Sequence, residues 1–168
     1  SIHTEKRIIG YDVCIGNQAL NFLAALRKQP YDADGTLARS GRINADLLDE
    51  LNALPFHQKR PPRSLGREWF LDNVMPLIND DHIPVKDRLR TVVEHIAYQV
   101  GRSLQSAETP VLVTGGGAHN SFLLERIRAY TKATLHVPDK LTVDYKEALV
   151  FALLGVLRMR GEVNTLKS

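Results

Sequence analysis

The chain has 168 residues, 43% of them hydrophobic, which is enough to bury a real core and suggests one domain. Its 22 basic and 19 acidic residues leave a net charge of +3, scattered along the chain, a poor footprint for nucleic-acid binding. A single cysteine, Cys14, excludes an intramolecular disulfide framework and fits a reducing compartment, and no apolar run approaches the roughly 18–20 residues that span a bilayer.

The opening Ser1-Ile2-His3-Thr4-Glu5-Lys6-Arg7 lacks the apolar core of a secretion signal, so a cytoplasmic α/β domain is expected. It also lacks an initiator Met, which suggests a piece of a longer protein. Arg7 to Val13 has strand composition and runs into a turn-like Cys14-Ile15-Gly16-Asn17. Asn17 is placed to cap a helix over Gln18 to Lys28, where Leu20, Phe22, Leu23 and Leu26 keep near-helical spacing. After the loop Asp32-Ala33-Asp34-Gly35, Asn44 can cap a helix from Ala45 to Leu54. Gln58 to Arg63 is a basic loop, because consecutive prolines supply no helix donors. Trp69, Phe70, Val74 and Leu77 mark another helix.

Pro84 opens the longest predicted helix, in which Val85, Leu89, Val92, Val93, Ile96, Ala97, Val100 and Leu104 form a wide apolar stripe. The remainder alternates: a strand at Val111 to Thr114, a helix from Ser121 to Lys132, a strand at Thr134 to Val137, a helix from Tyr145 to Met159. That last helix is apolar nearly all round, with Ala148, Ala152 and Gly155 aligned, so something is expected to pack closely on it. The order implies a small, mostly parallel sheet with several covering helices.

The stretch Val-Leu-Val-Thr-Gly-Gly-Gly-Ala-His-Asn-Ser at 111–121 is one residue short of a dinucleotide fingerprint, and Asp139 follows the next strand at about the right distance. Asn120 replaces the third glycine, and too little chain follows Asp139 to complete a dinucleotide-binding sheet. No Gly-Lys-Ser/Thr is present, which excludes a P-loop. Glycines between a strand end and a helix start can offer bare N–H groups to a ligand, or simply form a tight turn capped by Asn120. Spacing leaves both readings open.

Asp12, at the end of a strand, could act as a general base or close an Asx-type turn. Asp144 and Glu147 read as a capping box at the start of the last helix. Lys59, Arg60, Arg63 and Arg67 could steer an anionic ligand or be a solvated surface, and Cys14 reads as a buried small hydrophobe. The six histidines show no metal-ligand spacing.

Together these blocks resemble the C-terminal half of the anhydro-N-acetylmuramic acid kinase family. Five match in order: Gly10-Tyr11-Asp12 through Gly16-Asn17; Asp32/Asp34-Gly35 with Ala38, Gly41 and Asn44; Pro61-Pro62-Arg63-Ser64-Leu65-Gly66-Arg67-Glu68-Trp69; Thr114 to Asn120; and Glu147-Ala148 with Phe151-Ala152. The resemblance implies the second lobe of an actin-like, ribonuclease H-like kinase that binds ATP between two lobes. The reaction it implies opens a 1,6-anhydro amino sugar with water while phosphorylating its 6-oxygen.

It assigns Asp12 as the base that deprotonates the water, Gly115, Gly116, Gly117 and Asn120 as nucleotide contacts, and Asn17 and Glu147 to the sugar. Mg²⁺ is implied too, with its ligands mainly on an N-terminal lobe that has no counterpart here, so the fragment alone is expected to be inactive. A homodimer is compatible with the resemblance. The family usually reads Phe-Asp-Thr-Gly-Pro-Gly-Asn around the base, where this chain has Tyr11-Asp12-Val13-Cys14-Ile15-Gly16-Asn17. Another sugar kinase of the superfamily, or a silent interaction module with the same fold, are the alternatives.

Overall fold

In the computed structural model, which describes residues 2–4, 7–105 and 110–164, the chain opens with an antiparallel hairpin. Its strands are β1 (Ile2–Thr4) and β2 (Arg7–Ile9), with Ile2 opposite Ile9. Ser1, Glu5 and Lys6, cited above, lie outside the described residues. The strand predicted through Val13 stops at Ile9, because the backbone at Asp12 and Val13 is engaged elsewhere. The Asp12 N–H donates to the Arg63 carbonyl at 2.9 Å, and the Arg63 guanidinium donates to the carbonyls of Asp12 and Val13 at 3.0 Å each.

Helix α1 (Asn17–Ala25) begins one residue early: Gly16 occupies the cap position, and Asn17 is the first helical residue. A 3₁₀ turn (Ala33–Gly35) leads into the single turn α2 (Thr36–Arg39). Asn44 caps α3 (Ala45–Ala53) as predicted, its Oδ1 accepting the Leu47 N–H at 2.9 Å. The helix marked by Trp69 is α4 (Arg67–Trp69) running into α5 (Met75–Ile78) through a π-helical turn, Phe70–Val74. Pro76 has no N–H for the helical ladder, and widening the turn before it absorbs that loss.

The long helix α6 (Val85–Ser103) is the axis of the fold, with α1, α2, α3 and the later α7 (Ser121–Tyr130) packed around it. Leu89, Val92, Val93, Ile96 and Ala97 are buried, each large side chain contributing roughly 1.5–3 kcal/mol. Because neighbours surround α6 on several sides, Thr91, Glu94, His95 and Gln99 are buried as well, and each has a partner. Thr91 Oγ1 accepts the Asn44 N–H at 2.9 Å, while Asn52 Oδ1 meets His95 Nδ1 at 2.8 Å and Gln99 Nε2 at 2.9 Å. Glu94 bridges to α7, taking Arg126 Nε and Nη2 at 2.9 and 2.8 Å and the Tyr130 hydroxyl at 2.5 Å.

Strands β3 (Val111–Leu112) and β4 (Leu135–His136) are parallel, and α7 makes the crossover that parallel neighbours require. The mostly parallel sheet expected from the sequence is reduced to this pair, and the hairpin forms a separate sheet. The architecture is thus α/β with helices dominant. Helix α8 (Lys140–Met159) starts five residues before the predicted Tyr145, with Asp139 at its cap taking the Thr142 N–H at 3.0 Å. The Asp144–Glu147 capping box is therefore overturned, since both residues stand inside the helix. Asp139, which fell at dinucleotide-acid spacing, is spent on that cap. Among the described residues no helix is long and apolar enough to cross a membrane.

Candidate functional site

The triple glycine does not run straight into a helix. Gly115 sits at φ +78° with extended ψ, a region open in practice only to glycine, and a 3₁₀ turn (Gly116–His119) follows. Asn120 then caps α7, its Oδ1 accepting the Leu123 N–H at 2.9 Å. The tight-turn reading of these residues holds. The turn also forms one wall of a cleft of about 540 Å³, to which it contributes Gly116, His119 and Asn120.

The opposite wall comes from α1, where Asn17 and Asn21 stand one helical turn apart. Asn17 packs directly on the glycines: a Cβ added to Gly116 would lie 2.7 Å from Asn17 Nδ2. Tyr31, Asp32 and Asp34 close the third side, and Lys140 at the start of α8 stands at the rim. Gly35, at φ +69°, lets this third side touch the turn, because a Cβ there would meet Asn120 Oδ1 at 2.5 Å and Phe122 Cβ at 2.7 Å.

Asp32 is held by its own loop. Its two carboxylate oxygens accept the N–H groups of Leu37 and Ala38 at 2.8 and 2.9 Å, which secures the free amino end of α2. Asp144 joins the turn to α8, accepting from His119 Nε2 at 2.8 Å and Lys140 Nζ at 2.5 Å. The Lys140 bond chiefly, and His119 with it, hold the Asp144 carboxyl below its ordinary range. Among the described residues no three His, Cys, Asp or Glu side chains converge as metal ligands, and Asp32 is already satisfied.

The structure thus brings Asn17, Gly116 and Asn120 to one cleft, with Gly117 beside Asn17. Asp12 does not line it. Asp12 is exposed and fixed, its Oδ2 taking the Leu65 N–H at 2.7 Å. Glu147 is exposed on α8, also outside the cleft lining. Sequence reasoning missed Asn21, Tyr31, His119 and Lys140 as cleft residues. The available signal was the Asn17–Asn21 repeat at helical spacing, which puts two amides on one face.

The basic loop divides. Lys59, Arg60 and Arg67 are exposed, while Arg63 turns inward and clamps the chain. Besides Asp12 and Val13, its Nη1 donates to the carbonyls of Phe56, His57 and Lys59 at 3.2, 3.3 and 2.7 Å, and its guanidinium lies 4.6 Å from the Phe56 ring centroid. Burial pushes the Cys14 thiol up to about 12, against the nearby Arg63 charge, which favours the protonated form.

A glycine turn beyond a parallel strand, opening on a polar cleft, is the arrangement of α/β proteins that bind small ligands beyond the carboxyl ends of their strands. A family model described as "Anhydro-N-acetylmuramic acid kinase" matches residues 1–167, and the chain belongs to that family. Curated proteins of that name are similar to it. The one from Mannheimia succiniciproducens is 33% identical over 95% of this chain and 47% of its own length. The one from Aliivibrio fischeri is 34% identical over 95% of this chain and 46% of its own, and the one from Gloeobacter violaceus 35% identical over 79% and 38%. The chain spans about half the length of the relatives it matches.

Proposed function

We propose that this chain is one domain, the second lobe of a two-lobed, actin-like, cytoplasmic kinase that converts 1,6-anhydro-N-acetylmuramic acid and ATP to the 6-phosphorylated sugar and ADP. The observation that carries this reading is the family match across residues 1–167, joined to a cleft in which Asn17, Gly116 and Asn120 meet.

In the reaction, Asp12 takes a proton from water as the water oxygen bonds to C1 of the sugar. The C1–O6 bond of the anhydro bridge breaks, O6 bonds to the γ-phosphorus, and ADP leaves with the electrons of the broken phosphoanhydride. The bond from the Leu65 N–H fixes the Asp12 carboxylate, and its Oδ1 accepts no hydrogen bond from the described residues. General-base action of this kind is worth about 10²–10⁴ in rate.

The glycine turn, with bare N–H groups and no side chains on three residues, offers a flat surface to the nucleoside side of ATP. Asn17 and Glu147 are assigned to the sugar side, and ligands for Mg²⁺ to the N-terminal lobe. This chain by itself is inactive on this reading, since phosphoryl transfer is mostly positioning and both walls of the site are needed to hold the reactants in line.

The decisive experiment is turnover of the full-length protein on the anhydro sugar, with Asp12→Asn as the control. Turnover of the variant should fall about 10²–10⁴-fold with ATP affinity little changed. Near-normal turnover would remove Asp12 from the base role. A second reading, a kinase for a different sugar, is favoured by the segment after Asp12, where Ile15 is buried and Cys14 packs on the core. A preference for N-acetylglucosamine over the anhydro sugar would select it.

A further inference from the structure

Three side chains beside the glycine turn are bonded to one another and take no part in the proton transfer proposed above. His119, at the end of the 3₁₀ turn, and Lys140, in the first turn of α8, both line the cleft. Asp144, one turn further along α8, ties them together: its Oδ1 accepts from His119 Nε2 at 2.8 Å and its Oδ2 from Lys140 Nζ at 2.5 Å. Two basic groups are thus held on the two oxygens of one carboxyl, and both stay open to solvent, with side chains 46% and 81% exposed.

The direction of these bonds decides what the pair can offer. A carboxylate only accepts, so His119 carries its hydrogen on Nε2, and its Nδ1 makes no hydrogen bond to the described residues. An approaching anion favours the imidazolium, which adds a donor at Nδ1. Of the three ammonium hydrogens of Lys140, one goes to Asp144 and two remain for a ligand. Because Asp144 already holds both groups in place, less side-chain freedom is lost when they bind. The side of the cleft closed by Asp32 and Asp34 repels an anion, which leaves the Lys140 rim as its favoured end.

We propose that His119 and Lys140, with Asp144 as their positioning residue, form an oxyanion subsite that takes the phosphate or carboxylate end of the ligand in this cleft. The proposal rests on the kinase reading above and orients its ligand, with the anionic end toward α8. Both reactants of that reaction carry such a group: the phosphates of ATP and the carboxylate of the muramic acid.

Calorimetric binding to the full-length protein tests this with two pairs of ligands, each pair differing in one anionic group. AMP is compared with adenosine, and the anhydro sugar with 1,6-anhydro-N-acetylglucosamine, which lacks the carboxylate. Lys140→Gln and His119→Gln should each weaken the anionic member of a pair about tenfold and leave the neutral member unchanged. The pair that responds identifies the source of the oxyanion, nucleotide or sugar. Asp144→Asn should lower the same anionic-to-neutral ratio with both basic residues intact, a change that a merely structural role would not produce. Equal weakening of anionic and neutral members by the Lys140 and His119 variants would overturn the proposal, and so would no weakening of either. If Asp144→Asn fails to fold, Lys140→Gln alters a solvent-exposed side chain and still gives the readout. Turnover of the anhydro sugar by the unsubstituted protein separates the two readings. Turnover with selectivity untouched by the variants refutes the subsite alone, and no turnover with selectivity altered refutes the kinase alone.

Discussion

At the scale of single residues, Arg63 shows how a charged side chain can be structural. Its guanidinium serves five carbonyls, from Asp12 and Val13 on one segment to Phe56, His57 and Lys59 on another. An ammonium cannot reproduce that planar fork, so Arg63→Lys should cost about 2–3 kcal/mol, read as a lower urea midpoint at unchanged slope. The Asp12 loop hangs from the same clamp, so if Asp12 is the base as proposed, the variant should also lose turnover in the full-length protein. Gly116 gives a contrasting case. Gly116→Ala places a Cβ 2.7 Å from Asn17 Nδ2, the free end of an exposed side chain that can swing away. Stability should barely change, while on the proposed kinase reading the KM for ATP of the full-length protein should rise about tenfold, equivalent to about 1.4 kcal/mol. None of this inward use of Arg63 was legible in the sequence, where four cations near two prolines read as a solvated or ligand-steering loop. The caps were legible at Asn44 and Asn120, where an Asn precedes an apolar-periodic segment, although the same signal at Asn17 misplaced a cap that falls on Gly16.

At the scale of elements, the apolar period of α6 was legible, and the buried polar row beside it was not. Hydrophobic spacing marks one face, whereas Glu94, His95 and Gln99 are buried by helices arriving from elsewhere in the chain. Burial drives the Glu94 carboxyl up, but the bonds from Arg126 and Tyr130, with the Arg126 and Arg90 charges, outweigh it and hold the carboxyl below its ordinary range. Glu94→Gln breaks this cluster between α6 and α7 and should destabilise the fold by about 3–5 kcal/mol in denaturant titration.

His95 is held down to about 3 by burial and then by His57, whose ring lies 4.9 Å away, and His57 to about 4 by burial and then by Arg63 and Arg102. Neither His57 nitrogen has a partner among the described residues. Both rings are neutral in the folded chain, and the unfolded chain takes up their protons near pH 6.5. Stability should therefore be intact above about pH 6.5 and fall as pH drops from there toward 3, by up to about 1.4 kcal/mol per pH unit for His95. The depressed Glu94 carboxyl acts in the same direction. Thermal midpoints between pH 7 and 4 check this, and His57→Phe should flatten the profile. The misread start of α8 has a simple cause as well. Asp-x-x-Glu at 144–147 also fits two residues one turn apart within a helix, and only the bonds of Asp139 to Thr142 reveal where the helix begins.

At the scale of the whole molecule, the sequence announced a sheet that the fold barely contains. Strands of two residues, Val111–Leu112 and Leu135–His136, have only each other to pair with among the described residues, and the predicted extensions add just the Thr134 carbonyl, which accepts the Val111 N–H, and the Val113 N–H, which donates to the His136 carbonyl. The cleft between α1 and the glycine turn has a consequence of its own, in the direction of its hydrogen bonds. Two of its acceptors are engaged, Asp32 by two backbone amides and Asn120 Oδ1 by the α7 cap, whereas the Asp34 carboxylate on the lining accepts no hydrogen bond from the described residues. The Asn120 side-chain amide, the glycine backbone and Lys140 offer N–H groups. The cleft therefore shows donors along the glycine turn and a carboxylate on the Asp34 side, so a ligand seated in it meets opposite polarities at its two edges.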